Sequence, residues 1–237
     1  MSEEVVLENA KVTEEVTEAK EDKRESLIKK QFSTKKGRIR FITRVAMFSA
    51  LAYVFYSFVK FPLPFFPSFL EVKFHNLFLI IVGLLTGPIG GALSVIIMLG
   101  LKLITLGTST AFVGELFDLL LSLSVVLPSS LIYYFNRTRT GGLIGIAVSV
   151  GCWLFFSVFL NYTISLPFYI RFFFKESTEA FVGMLSKTIK GITVDNFMAY
   201  YLFGACLPFN ALVGFINIAV TILVYKRIST LLKKIGL

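Results

Sequence analysis

Beyond about residue 40 the chain is dominated by long apolar stretches with few polar interruptions. Five of them, at about 41–60, 88–106, 112–135, 142–169 and 197–227, approach or exceed the roughly 20 helical residues that cross a ~30 Å hydrocarbon layer. A sixth, about 74–86, is shorter and opens at the triplet "FHN". It is joined to the stretch starting at Pro88 by the turn "LTGP" alone. Proline at a helix start loses no needed N–H, so this turn predicts two antiparallel neighbouring helices. The pattern predicts an all-α membrane protein with six transmembrane helices.

Composition supports the same class: 55% of the 237 residues are hydrophobic, 26 of them phenylalanine. Soluble domains run nearer 45–50% apolar even with glycine included. The net charge of +9 does not mark a nucleic-acid binder, because of where the charge lies. Residues 1–25 hold nine acids and four bases, whereas Lys29 to Arg44 holds seven bases and no acid. A basic run directly before the first apolar stretch is what anionic headgroups and the positive-inside rule favour. Residues 1–40 therefore read as a charged cytoplasmic tail, disordered or a fraying helix and not a signal peptide. Residues 41–230 read as the membrane domain, and 231–237 as a basic cytoplasmic C-terminus. With the N-terminus inside, the bases of "NRTRTGG" and "YKRISTLLKKIGL" also fall inside. Six spans and two cytoplasmic termini then satisfy the charge rule, giving a multi-pass membrane protein.

That orientation places "FPLPFFPSFLEVKF" outside. Pro62, Pro64 and Pro67 cannot share a helix, and five phenylalanines from Phe61 to Phe74 make a poor solvated loop. Residues 61–73 read equally well as a stiff lid over an apolar pocket or as an interfacial aromatic belt. Ionisable residues within spans are costly and mark cavities or partners. Here they are His75, Lys102, Glu115 and Asp118, the last two sharing one helix face. Asn161 and Asn210 need partners in hydrocarbon, and each lies near a proline, Pro167 or Pro208. Ala46 and Ala50, like Gly141 and Gly145, are small residues four apart that permit close helix approach.

Several chemistries are excluded. The only near-match to a P-loop, "FVGMLSKT", lacks both glycines, so this chain does not hydrolyse ATP through one. A single histidine excludes HExxH zinc sites. Cys152 and Cys206 have no CxxC spacing and read as small buried residues. No nucleophile–base–orienter set is visible, and the chain reads as a non-enzyme.

The segments "FPLPFFPSFLEVKF", "LTGPIGGALS", "FVGELFDLLL", "VLPSSLIYY", "LNYTISLPFY" and "LPFNALVGFINIAVTILVYKRIS" together resemble the substrate-binding S component of energy-coupling factor (ECF) vitamin transporters. They cover about residues 44–230 in the family's order, and the likeness is strongest to its riboflavin-binding branch. The resemblance implies a vitamin bound on the extracellular side beneath a lid formed by the first loop. It also implies a transmembrane coupling subunit and two ABC-type ATPase subunits as partners, with Ala46 and Ala50 facing the coupling subunit. The candidate ligand residues are Asn161, Asn210, Glu115, Asp118, His75, Asn76 and Phe69, with Pro64, Phe65, Phe66 and Pro67 in the lid. No cofactor is expected; a flavin would be cargo. The pattern departs from the flavin branch at Val213, where that branch usually has lysine, and at His75, Asn76 and Asp118. These departures leave a different vitamin or micronutrient as the alternative cargo. Outside the class stand a membrane assembly protein without a pocket and a standalone secondary transporter, the latter disfavoured by the lack of an evident internal repeat.

Overall fold

A computed structural model describes residues 34–234. The residues from Arg44 onward form one compact unit, and the site lies in it. Helix α1, Lys35–Phe58, begins ahead of the expected residue 41. Thr34 explains the start: its Oγ1 accepts a hydrogen bond from Gly37 N at 3.1 Å, an N-cap for the first turn. Of the expected tail, which read as disordered or a fraying helix, the part from Lys35 is helical; residues 1–33 and 235–237 lie outside the described residues.

The expected lid loop contains a small antiparallel hairpin. Strand β1, Lys60–Pro62, pairs with β2, Glu71–Lys73, in the register Lys60↔Lys73, Phe61↔Val72 and Pro62↔Glu71. Pro62 is tolerated because the two-stranded sheet is all edge. Between the strands, Phe66 N donates to Leu63 O at 3.1 Å and Leu70 N to Pro67 O at 2.9 Å. Two tight turns fold the connection back on itself.

Helix α2, His75–Thr86, has 12 residues and so spans only about 18 Å. Ten of them are buried, because α2 runs through the middle of the bundle against its neighbouring helices. Its shortness leaves the outer part of the bundle centre open. Helices α3 (Pro88–Leu106), α4 (Val113–Phe135) and α5 (Arg139–Leu160) complete the first part of the bundle. Glycine sets the spacing: a Cβ on Gly91 would lie 2.6 Å from Val126 Cγ1 and 3.1 Å from Gly83 Cα. One on Gly145 would lie 2.9 Å from Ser129 O, so Gly145 lets α5 approach α4 closely, while Gly141 packs against Asn136 just past the end of α4.

Two prolines shape the rest. Helix α5 runs through a π-turn, Asn161–Ser165, into α6, Leu166–Phe173. After α7 (Thr178–Leu185) and α8 (Phe197–Tyr201), a second π-turn, Leu202–Cys206, leads into α9, Leu207–Lys234. In each case the leucine N–H before the proline bonds five residues back, Leu166 to Asn161 O and Leu207 to Leu202 O. The wider turn accommodates a ring that would otherwise strike the carbonyl four residues earlier, and the helix continues unbroken.

Among the described residues five helical segments are long and apolar enough to cross a membrane, and α2 is a shorter sixth. Large apolar side chains such as Ile104, Phe155, Phe215 and Leu223 are exposed on the bundle's outer surface, as lipid contact requires. Several buried hydroxyls bond within their own helices: Ser49 to Val45 O at 2.7 Å, Ser94 to Gly90 O at 2.8 Å and Thr221 to Asn217 O at 2.7 Å. The stretch 170–196, between the fifth and sixth apolar runs, contains α7. Its Phe181, Val182 and Leu185 pack with Leu166, Tyr201 and Leu202 into a second apolar cluster.

A candidate ligand chamber at the hairpin end

The space above the short helix α2 is a cavity of about 330 Å³. That volume lies at the lower end of ligand-sized pockets and suits a single small molecule. His75 and Asn76 enter it from the first turn of α2, and Glu115 and Asp118 from the start of α4. Asn161 enters from the first π-turn, Asn210 from just past the second, and Phe69 from the hairpin connection. All seven candidate ligand residues therefore line one chamber. π-Turns recur at functional sites because they redirect side chains without ending a helix; here Asn161 and Ser165 of the first line the chamber, as do Tyr201 and Phe209 on either side of the second.

The charged residues of the lining form three closed pairs. Lys60 Nζ lies 3.1 Å from Glu71 Oε2, and Lys73 Nζ 3.2 Å from Asp118 Oδ2. Lys102 pairs with Glu115. Asp118 also accepts a hydrogen bond from the Tyr56 hydroxyl, and Lys73 sits 4.5 Å over the Tyr56 ring. Glu115 is held on both oxygens, since Thr108 and Thr110 donate to Oε2 at 2.9 and 3.2 Å. Lys102 meanwhile donates to Gly107 O at 2.8 Å. Glu115 thus fastens the connection between α3 and α4 and has little capacity left for a ligand.

The two asparagines are likewise anchored. Asn161 Nδ2 donates to Ser157 O at 2.8 Å while its Oδ1 accepts from the Tyr201 hydroxyl at 3.0 Å. Asn210 Nδ2 donates to Cys206 O at 2.9 Å. These bonds fix the orientation of both side chains in the chamber wall.

Aromatic rings supply much of the remaining wall. Phe69 stacks on Tyr169 with ring centres 6.2 Å apart and leans on Tyr201 at 6.0 Å. Trp153, Phe117, Phe181 and Phe209 complete it. Of these only Phe69 was a sequence candidate. Tyr56, Trp153, Tyr169, Phe181 and Tyr201 were missed, since a lone aromatic in an apolar run carries no mark distinguishing cavity from lipid, and Lys73 was missed because it lies in the loop rather than in a span. Val213 is buried and also lines the chamber.

The residues expected in the lid divide between two places on the hairpin connection and its surroundings. Pro64, Phe65, Phe66 and Pro67 do not line the chamber; Phe69 and Leu70 do. Phe65 is 87% exposed. Pro64, Phe66 and Pro67 border a separate outer groove together with Met184 and Lys187. Phe66 packs on Phe209 with centres 5.3 Å apart. The prolines stiffen the turns that carry Phe69 and Leu70 to the chamber. Ala46 and Ala50 are exposed on α1.

Among the described residues no group of His, Cys, Asp and Glu could hold a metal ion. Cys152 and Cys206 are free.

Comparison with known proteins adds three findings. The family model described as "ECF transporter, substrate-specific component" matches residues 40–225. A curated relative, the riboflavin transporter RibU of Staphylococcus aureus (strain TCH60), is 27% identical over 197 residues, covering 83% of this chain and 93% of the relative. A solved structure of the S component of a bacterial ECF transporter shares the fold, with a TM-score of 0.60 at 24% identity over 83% of this chain and 99% of that one. The chain belongs to the family of substrate-specific components of ECF transporters: it is a multi-pass membrane transport subunit and not an enzyme.

Proposed function

We propose that this chain binds riboflavin, or a close flavin relative, on the extracellular side of the cell membrane for ATP-driven uptake. The observation that carries the reading is the chamber's combination of aromatic walls with a closed charge balance. Three lining cations pair with three lining anions, Lys60 with Glu71, Lys73 with Asp118 and Lys102 with Glu115, so no formal charge is left to attract an ionic ligand. A planar, uncharged ring system carrying polar edges matches these walls, and the riboflavin-transporting relative supports the choice. Residues Asn161, Asn210, Asp118, His75, Asn76 and Phe69 would contact the ligand, with the hairpin as its cover. Glu115 would hold the wall in place.

Partners follow from the family membership. A transmembrane coupling subunit would dock on the exposed small-residue face at Ala46 and Ala50, and two ABC-type ATPase subunits would supply the P-loops this chain lacks. No cofactor is needed for binding. The test is a titration of purified protein into riboflavin, read by the flavin's own fluorescence. Saturable quenching at one flavin per chain is expected. A colourless preparation that quenches nothing would reject the flavin and favour another micronutrient as cargo.

A further inference from the structure

The buried polar atoms of this chamber differ in one respect that bears on what they recognise. The asparagine amides at the π-turns and the three ion pairs all have partners within the chain. Four other atoms have none among the described residues: Trp153 Nε1, Asn76 Oδ1, His75 Nδ1 and Ser57 Oγ. All four residues line the same chamber. Trp153, Asn76 and His75 are only 6%, 2% and 4% exposed, so bulk water does not satisfy them. A buried donor or acceptor left unpaired is destabilising, and such groups persist where a bound molecule completes them.

We propose that Trp153 is a ligand-binding residue, donating its indole N–H to an acceptor on the bound molecule, and that Asn76 Oδ1 accepts from an N–H on the same molecule. This deepens the flavin reading and rests on it: the cargo must present an acceptor and a donor on a flat, uncharged frame. The local packing explains why Trp153 can serve. Gly214 on α9 faces the pyrrole edge of the indole, and a Cβ there would sit 3.5 Å from Trp153 Cδ1 and 3.7 Å from Nε1. The missing side chain lets α9 approach that edge without covering it with a polar partner. Indole nitrogen is a donor only, so an unpaired Trp153 selects for an acceptor. Asn76 stands at the first turn of α2, fixed by a helix that is buried almost throughout, and its position does not depend on the hairpin cover.

The experiment uses Trp153→Phe and Asn76→Leu in the full chain, with riboflavin as the probe. Each substitution removes the polar atom and keeps an apolar side chain of similar shape. Two quantities are read: riboflavin affinity from flavin fluorescence, and the thermal midpoint of the ligand-free protein in detergent. Opposite behaviour is expected. Affinity falls about tenfold in each variant, while the ligand-free midpoint stays level or rises because an unsatisfied buried group has gone. A purely structural residue would lower both together, and that result in both variants overturns the inference. Affinity within twofold of the parent in both variants overturns it too, leaving the flavin reading intact. A parent chain that binds no riboflavin overturns both readings. Should one variant fail to fold, the other decides.

Discussion

At the scale of single residues, several polar groups that look equivalent in sequence do different work in the fold. Glu115 and Asp118 lie three apart on one face of α4, yet Glu115 is saturated by Lys102, Thr108 and Thr110. We therefore expect Glu115→Gln to weaken the fold by about 3 kcal/mol, the order found when one member of a buried ion pair is removed. Thermal unfolding would show the loss, and riboflavin affinity should change little in the protein that remains folded. Asn210→Ala should weaken flavin binding by about tenfold or more; an unchanged dissociation constant with normal folding would move Asn210 to a structural role. Asn161→Ala should cost about 1–3 kcal/mol in stability as well, because the buried Tyr201 hydroxyl loses its acceptor. The sequence pointed to six of the seven candidate residues because a charge, an imidazole or a carboxamide in an apolar run stands out, and to Phe69 through the proline-rich loop. It did not point to Trp153, Tyr169 or Tyr201, whose relevance depends on which side of a helix faces the cavity. Nor did it show that Lys102 meets Glu115, a pairing made by the turn between two helices.

At the scale of elements, the apolar runs located the six spans closely, because hydrocarbon thickness constrains them strongly. Two features were not legible. The hairpin strands have three residues each, too few for any alternation to register. Helix α7 lies in a charge-balanced stretch that reads as loop, and it is held by packing of Phe181, Val182 and Leu185. The π-turns were hinted at by Pro167 and Pro208 but not their form. Pro167→Ala and Pro208→Ala test them. Without the ring, each helix can return to ordinary bonding, which rotates the downstream segment by about 100° per residue of register. Affinity for riboflavin should fall at least about tenfold, with helical content by circular dichroism unchanged. Retained affinity would mean the prolines do not set the chamber's geometry. At the crossing of α2 and α3, Gly91→Ala should cost about 1–3 kcal/mol from overpacking against Val126 and Gly83, read as a lower thermal midpoint.

At the scale of the whole molecule, the short α2 and the hairpin belong to one arrangement: a truncated central helix makes room and a stiffened connection covers it. Because the chamber's charges are closed in pairs, riboflavin 5′-phosphate should bind at least about tenfold more weakly than riboflavin, since a charge brought there must shed its water without a free counter-ion. Equal affinity for the two would contradict the charge argument. The exposed Ala46 and Ala50 face should be separable from the chamber. Bulky replacements there should leave riboflavin binding by the isolated chain intact and abolish uptake by cells carrying the complete transporter.

The measurement that bears most directly on the account is native mass spectrometry of the protein released from mild detergent after purification and brief exposure to riboflavin. The account predicts a mass increment of one riboflavin per chain, diminished in Trp153→Phe and Asn210→Ala. A chain that carries a different small molecule, or that takes up no flavin at all, would contradict it.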